Sequence, residues 1–172
     1  TPRLFQAVAE ALVVSRQAGF TASRVDMVGH GAGGILARLH VQQHSQQGEN
    51  YFLGDVHKLI TIGTPHGGSY LAGILSELKT NNPTAYGLWR TNVLWASEAS
   101  GQFPAVDLNQ GVVADETPGS PGLMLLEPIS VPSHAIATTV ESLPPGDTWS
   151  LLHYGLGITN QGDGCVTAES AV

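Results

Sequence analysis

The chain has 172 residues, which suggests one domain. Hydrophobic residues make up 42% and charged residues 12%, and seven Lys plus Arg against fourteen Asp plus Glu leave a net charge of −7. With no basic run longer than one residue, this balance argues against the phosphate backbone of nucleic acid as a partner; one cysteine, Cys165, excludes an internal disulfide and a cysteine-only metal site.

No stretch approaches the roughly 20 apolar residues of a membrane span. The chain opens without a Met, directly on "TPRLFQAVAEALVV", so a processed or partial chain is expected. Thr1-Pro2 has the chemistry of a helix start, Thr as N-cap and Pro at the first helical position. Leu4, Phe5, Val8, Ala9, Leu12 and Val13 recur at helical spacing, and Gly19 is placed to stop the helix. Arg24 to Gly29 reads as a short strand. A glycine turn follows, then a helix carrying Ile35, Leu36, Leu39 and Val41 that ends in the polar run "QQHSQQGEN".

Lys58 to Ile62 reads as a second strand, followed by a Gly, Pro and Thr loop. "YLAGILSELK" and "AYGLWRTNVLWASEASG" have the pattern of amphipathic helices, and "TPGSPGLMLLE" that of a turn before a short helix. "VPSHAIATTVE" reads as a third buried strand, and "TNQGDGCVTAESAV" as a turn with a short following segment. Strands and helices alternating in this way predict an α/β fold, a parallel sheet with helices on both faces. The long connection between the second and third strands predicts a helical cap inserted at 69–129 within a single partial domain, 1–172.

Two functional turns share the spelling "VDMVGHGAGGILARLH". Gly29-x-Gly31-x-x-Gly34 fits the glycine fingerprint of a dinucleotide-binding turn. That reading requires an acid at the end of the next strand, about 20 residues on. The next strand ends "LITIGTPH", and Asp55 stands before it. Alternatively, the turn has the form G-x-S-x-G of a hydrolase, with Gly31 where the serine would stand. Small residues must flank such a nucleophile because strand and helix pack closely, and Gly29, Ala32, Gly33 and Gly34 meet that demand. Glycines kept only for helix–strand packing are the third reading.

Four stretches, in order, carry a resemblance. "RVDMVGHGAGGILARLH" is similar to V-D-x-V-G-H-S-M-G-G-L-x-A-R, "DVHKLITIGTPHGGSYLA" to the strand and loop around T-P-H-x-G-S, "VPSHAIATTV" to a later strand, and "NQGDGCVTAESA" to the loop S/N-D-G-x-V-x-x-x-S. Together they span Arg24 to Ala171 and resemble a bacterial lipase or esterase of the α/β-hydrolase fold, of the triacylglycerol-lipase type. The resemblance implies a carboxylester hydrolase of lipase type, acting on a lipid or ester substrate, secreted, with no cofactor and no metal. It implies Asp163 as the acid of the triad, the amide of Ala32 as an oxyanion donor, and His30 and His66 as residues lining the site. It also implies that Trp89, Val93 and Trp95 belong to an apolar lid that touches the lipid interface.

The departures are as informative. Gly31 replaces the nucleophilic serine, so no acyl-enzyme forms there. The order of this fold is Ser, Asp or Glu, then His. All seven histidines precede Asp163, so the base is expected after Val172 and the second oxyanion amide before Thr1. The chain therefore reads as an incomplete or inactivated hydrolase, with a non-catalytic binding protein and a dinucleotide-binding domain as alternatives. His40 and His44, four apart on a helix, lack the glutamate of H-E-x-x-H. They read instead as a solvated helix end. His153 precedes Asp163 and does not fit the triad order, and Cys165 reads as a small packed side chain.

Overall fold

The computed structural model describes residues 2–43, 48–100, 111–137, 166–167 and 170–171. Thr1, His44, His153, Asp163 and Cys165 lie outside them, so the expected N-cap, the second member of the His40–His44 pair and the triad acid do too. The chain divides into two compact units. One comprises 1–66, 125–137 and 171–172, and the other 67–124 and 138–170.

The first unit holds helix α1 (Pro2–Gln17), strand β1 (Val25–His30), helix α2 (Ala32–Gln43), a short 3₁₀ turn (Gly48–Asn50), strand β2 (Val56–Ile62) and strand β3 (Ser133–Ile136). Helix α1 ends where its sequence suggests. Gly19 has φ +89°, the Gly19 amide donates to the Arg16 carbonyl and the Phe20 amide to the Ser15 carbonyl. This crossed pair of bonds satisfies carbonyls that the last turn leaves free, and it requires the left-handed conformation that glycine adopts without strain.

The three strands are parallel in the order β1-β2-β3. Met27 pairs with Leu59 and Leu59 with Ser133; Gly29 pairs with Thr61 and Thr61 with Ala135. A register slip between Val25 and Asp26 shifts the phase, so Val56 and Leu59 both enter the core. There Ala37 and Val41 of α2 meet Val56 and Leu59, with Val25, Met27, Ile129 and Val131 around them. Leu59 is fully buried, which stabilises the unit by about 1.5–3 kcal/mol relative to an exposed side chain. Asp26, Val28 and His30 alternate to the other side of β1 and are exposed, Val28 to 66%. This is the α/β architecture, with a parallel sheet and crossover helix, that the alternation of elements predicts.

The described residues of the second unit are mostly helical. Helix α3 (Tyr70–Asn81) starts at Ser69, whose hydroxyl accepts from the Ala72 amide at 3.2 Å. Asn82 closes α3 by donating its amide to the Leu78 carbonyl, and it opens helix α4 (Pro83–Ser100) by accepting from the Ala85 amide at 3.0 Å. One residue thus caps two helices, and Pro83 occupies the first helical position, where its missing N–H costs nothing. Two short helices follow, α5 (Val112–Asp115) and α6 (Pro121–Met124). The spelling of the sequence anticipates α3, α4 and α6; α5 and α6 both have four residues, but only α6 is announced by a Gly and Pro turn before it. Among the described residues no helix is long and apolar enough to cross a membrane.

Candidate active site at the strand-to-helix turn

Strand β1 ends at His30, α2 begins at Ala32, and Gly31 alone makes the turn between them, with φ +54°. A residue with a side chain held there carries strain on the order of 1–3 kcal/mol. The Gly31 amide donates to the Ile62 carbonyl at 3.0 Å, and its own carbonyl accepts from the Gly34 amide at 3.0 Å. The turn is therefore tied both to the end of β2 and to the first turn of α2.

The glycines of the turn have different physical tasks. A β carbon on Gly29 would lie 2.6 Å from the Cα of Gly34, and one on Gly34 would lie 2.0 Å from the Oγ1 of Thr64, which is itself fully buried. These two positions exclude side chains because strand, helix and the loop after β2 meet there. At Gly31 a β carbon would meet none of the described residues within 4 Å beyond its chain neighbours. Among the described residues the restriction at Gly31 is therefore one of backbone conformation only.

Ala32 is the first residue of α2. Amides of a first helical turn have no intrahelical acceptor, and the helix dipole makes that end attractive to negative charge. His30 ends β1 and is exposed rather than packed. His66, in the loop after β2, is half-buried and joined to Arg38 of α2. Arg38 Nη1 donates to His66 Nδ1 at 3.2 Å, and Arg38 Nη2 donates to the Glu127 carbonyl at 2.7 Å. Arginine only donates, so Nδ1 must be the accepting nitrogen; Nε2 then carries the proton and donates to Thr61 Oγ1 at 3.0 Å. Burial, and secondarily the Arg38 charge, push the His66 pKa below the ordinary histidine value. His66 is thus a neutral imidazole with both ring nitrogens engaged.

Sequence reasoning missed the Arg38–His66 pair. Its members are 28 residues apart, and the only signal was that both fall in motif stretches. It also misread His40. That side chain is 1% exposed, its Nε2 donates to Asp55 Oδ2 at 3.0 Å, and its ring lies 4.3 Å from that of Phe5 on α1. The expected solvated helix end is a core position, because α1 covers it and Asp55 supplies the partner that a buried imidazole needs. The same bond occupies the acid weighed for a ribose. Asp55 stands before β2, with its carboxylate already held by His40. Among the described residues no group of three His, Cys, Asp or Glu side chains converges as metal ligands would.

In the helical unit, Trp89 stacks beside Tyr86 with ring centroids 6.2 Å apart, and its indole Nε1 is buried with no partner among the described residues. The side chains of Val93 and Trp95, on the same helix α4, lie outside the described residues.

No curated protein sequence matches the chain. Among solved structures it is similar to the mature form of the Bacillus licheniformis lipase BlEst2, with 20% identity and a TM-score of 0.46. The alignment covers 96% of this chain and 58% of that one, so the chain spans a little over half the length of this relative. The model of the family described as PGAP1-like alpha/beta domain matches residues 3–113, from α1 through the strand-to-helix turn and β2 into α5. That match takes in the first two of the motifs and agrees with their α/β-hydrolase resemblance, and the chain belongs to the PGAP1-like alpha/beta domain family.

Proposed function

We propose that this domain is a carboxylester-hydrolase scaffold of lipase type whose nucleophile position is vacated in this chain. The observation that carries the reading is Gly31, alone between strand and helix at φ +54°, where a side chain would meet none of the described residues. A strained turn with a free approach is what a nucleophile on this fold requires. In a form with serine at position 31, the hydroxyl attacks an ester carbonyl. A histidine oriented by Asp163 takes the proton, and the Ala32 amide shares in holding the oxyanion. His30 and His66 line the site in this reading, and 69–129 is the cap, with Trp89, Val93 and Trp95 toward a lipid interface. The substrate is a lipid or other ester, the chemistry uses no metal or organic cofactor, and the setting is a secreted bacterial protein.

A second reading is favoured by the same residue. Glycine offers no nucleophile, so the chain as it stands suits a non-catalytic binding protein that kept the scaffold. Gly31→Ser in the full-length protein separates the two. Losing the nucleophile of a serine protease costs on the order of a million-fold in kcat. On the hydrolase reading, the variant should react with a fluorophosphonate probe at position 31 and hydrolyse p-nitrophenyl butyrate at least a thousandfold above the parent. A folded variant that does neither supports the binding protein.

A further inference from the structure

The cluster around Arg38 is unusual in its charge accounting. The chain carries twice as many acidic as basic side chains, yet the half-buried Arg38 guanidinium has no carboxylate partner among the described residues. It is held by two neutral acceptors, the ring nitrogen of His66 and the carbonyl of Glu127, and its Nε is buried with no partner there. Removing a cation from water without an opposite charge is costly, and burial lowers the Arg38 pKa.

That cation borders a cavity of about 310 Å³ lined by Arg38, Thr61, His66, Ile129, Ser133, His134 and Ala135. The Thr61 hydroxyl accepts from His66 Nε2, which leaves its own hydrogen to donate. Ile129 and Ala135 give the cavity apolar wall, and its volume lies at the small end of ligand sites.

We propose that this cavity is a binding site for a small monocarboxylate, with Arg38 as its charge partner and Ile129 and Ala135 against its alkyl part. One cation facing a neutral His66 matches a single negative charge better than the dianion of phosphate. The planar guanidinium matches the two oxygens of a carboxylate. The Arg38–His66–Thr61 chain sets the orientation: His66 accepts from the guanidinium on one side and is fixed by Thr61 on the other, so a bound anion adds the missing charge without displacing a proton. This site stands independently of the ester-hydrolase reading.

The test is a titration followed by heteronuclear NMR at constant ionic strength. The Arg38 Nε–Hε signal is assigned by its loss in Arg38→Lys. The ligands are butyrate, its neutral analogue butanamide, chloride and inorganic phosphate. Butyrate should move the Arg38 Nε–Hε and His66 ring signals to saturation, at least tenfold more tightly than any of the other three. Ala135→Leu, which fills the cavity and leaves Arg38 in place, should weaken butyrate at least tenfold while retaining a native spectrum. Butyrate shifts no stronger than those of chloride or butanamide, tighter binding of phosphate, or unchanged binding in Ala135→Leu would each overturn the assignment.

Discussion

Gly29 and Gly34 face each other with no room for a side chain: a β carbon on Gly29 would fall 2.6 Å from the Cα of Gly34, and one on Gly34 would run into Thr64. This contact sets how closely α2 lies on β1. Gly34→Ala should destabilise the protein by about 1–3 kcal/mol, the usual cost of overpacking a filled interior. In urea denaturation its effect should couple to Thr64→Ala, because the two residues share one contact. Gly31→Ala should cost a similar amount through backbone strain alone and show no coupling to Thr64. Additive behaviour of Gly34→Ala with Thr64→Ala would refute the close approach.

Two His–Asp pairs in the first unit allow a comparison of burial at fixed chemistry. His40–Asp55 is 3.0 Å long with the imidazole 1% exposed, while His57–Asp26 is 2.8 Å long with both side chains about half exposed. Length alone would rank the second pair higher. Burial reverses that order, because removing one partner of a buried pair leaves the other without compensation. His40→Ala should cost about 3 kcal/mol, with lost packing against Phe5 included. His57→Ala should cost less than about 1 kcal/mol. Chemical denaturation of the two variants side by side measures both, and equal losses would contradict the ranking.

The lowered pKa of His66 has a definite sign in stability. Between its folded value and the ordinary histidine value near 6.5, the unfolded chain binds a proton that the folded one refuses. This group's contribution is therefore fully present above about pH 6.5 and is lost as the pH falls toward its folded value. In His66→Gln, which cannot titrate, the fall in Tm between pH 7 and pH 5 should be shallower than in the parent. An identical slope would show that His66 is not the group responsible.

The 172-residue chain should not hydrolyse p-nitrophenyl esters above background, because position 31 has no nucleophile. Gly31→Ser within the same 172 residues should remain near background as well. A serine hydroxyl is a weak nucleophile at neutral pH unless a base takes its proton, and among the described residues both ring nitrogens of His66 are already engaged. Stopped assays with phenylmethanesulfonyl fluoride before and after the substitution would check this. Turnover by the unmodified chain would place the active site elsewhere.

Much of the first unit was legible in the sequence because its determinants are local. Gly19 stops α1 through its own φ angle, the alternation along β1 is a period of two, and the glycine turn needs no distant partner to be recognised. The features that escaped depend on tertiary neighbours. His40 looks like a polar helix end until α1 is laid over it, and nothing within the helix reveals Phe5 or Asp55. Arg38 and His66 meet because a helix and a loop after a strand are brought together. Strand β3 is only four residues long, so a run read as Val131 to Glu141 was bound to exceed the part that pairs within the described residues.

The order of the strands also has a consequence for how the chain acquires its fold. Strands β1 and β2 are separated in sequence by residues 31–55 alone, so their pairing closes the shorter loop, and α2 within it supplies the covering side chains at once. Strand β3 joins β2 only after the whole segment from Gly63 to Pro132 has been spanned. The chain entropy of that closure is greater by roughly 1 kcal/mol, and distant pairings of this kind slow folding. The β1-α2-β2 unit should therefore consolidate first and β3 dock late. In a kinetic experiment, Ala37→Gly should slow refolding, whereas Ala135→Gly should act mainly by speeding unfolding.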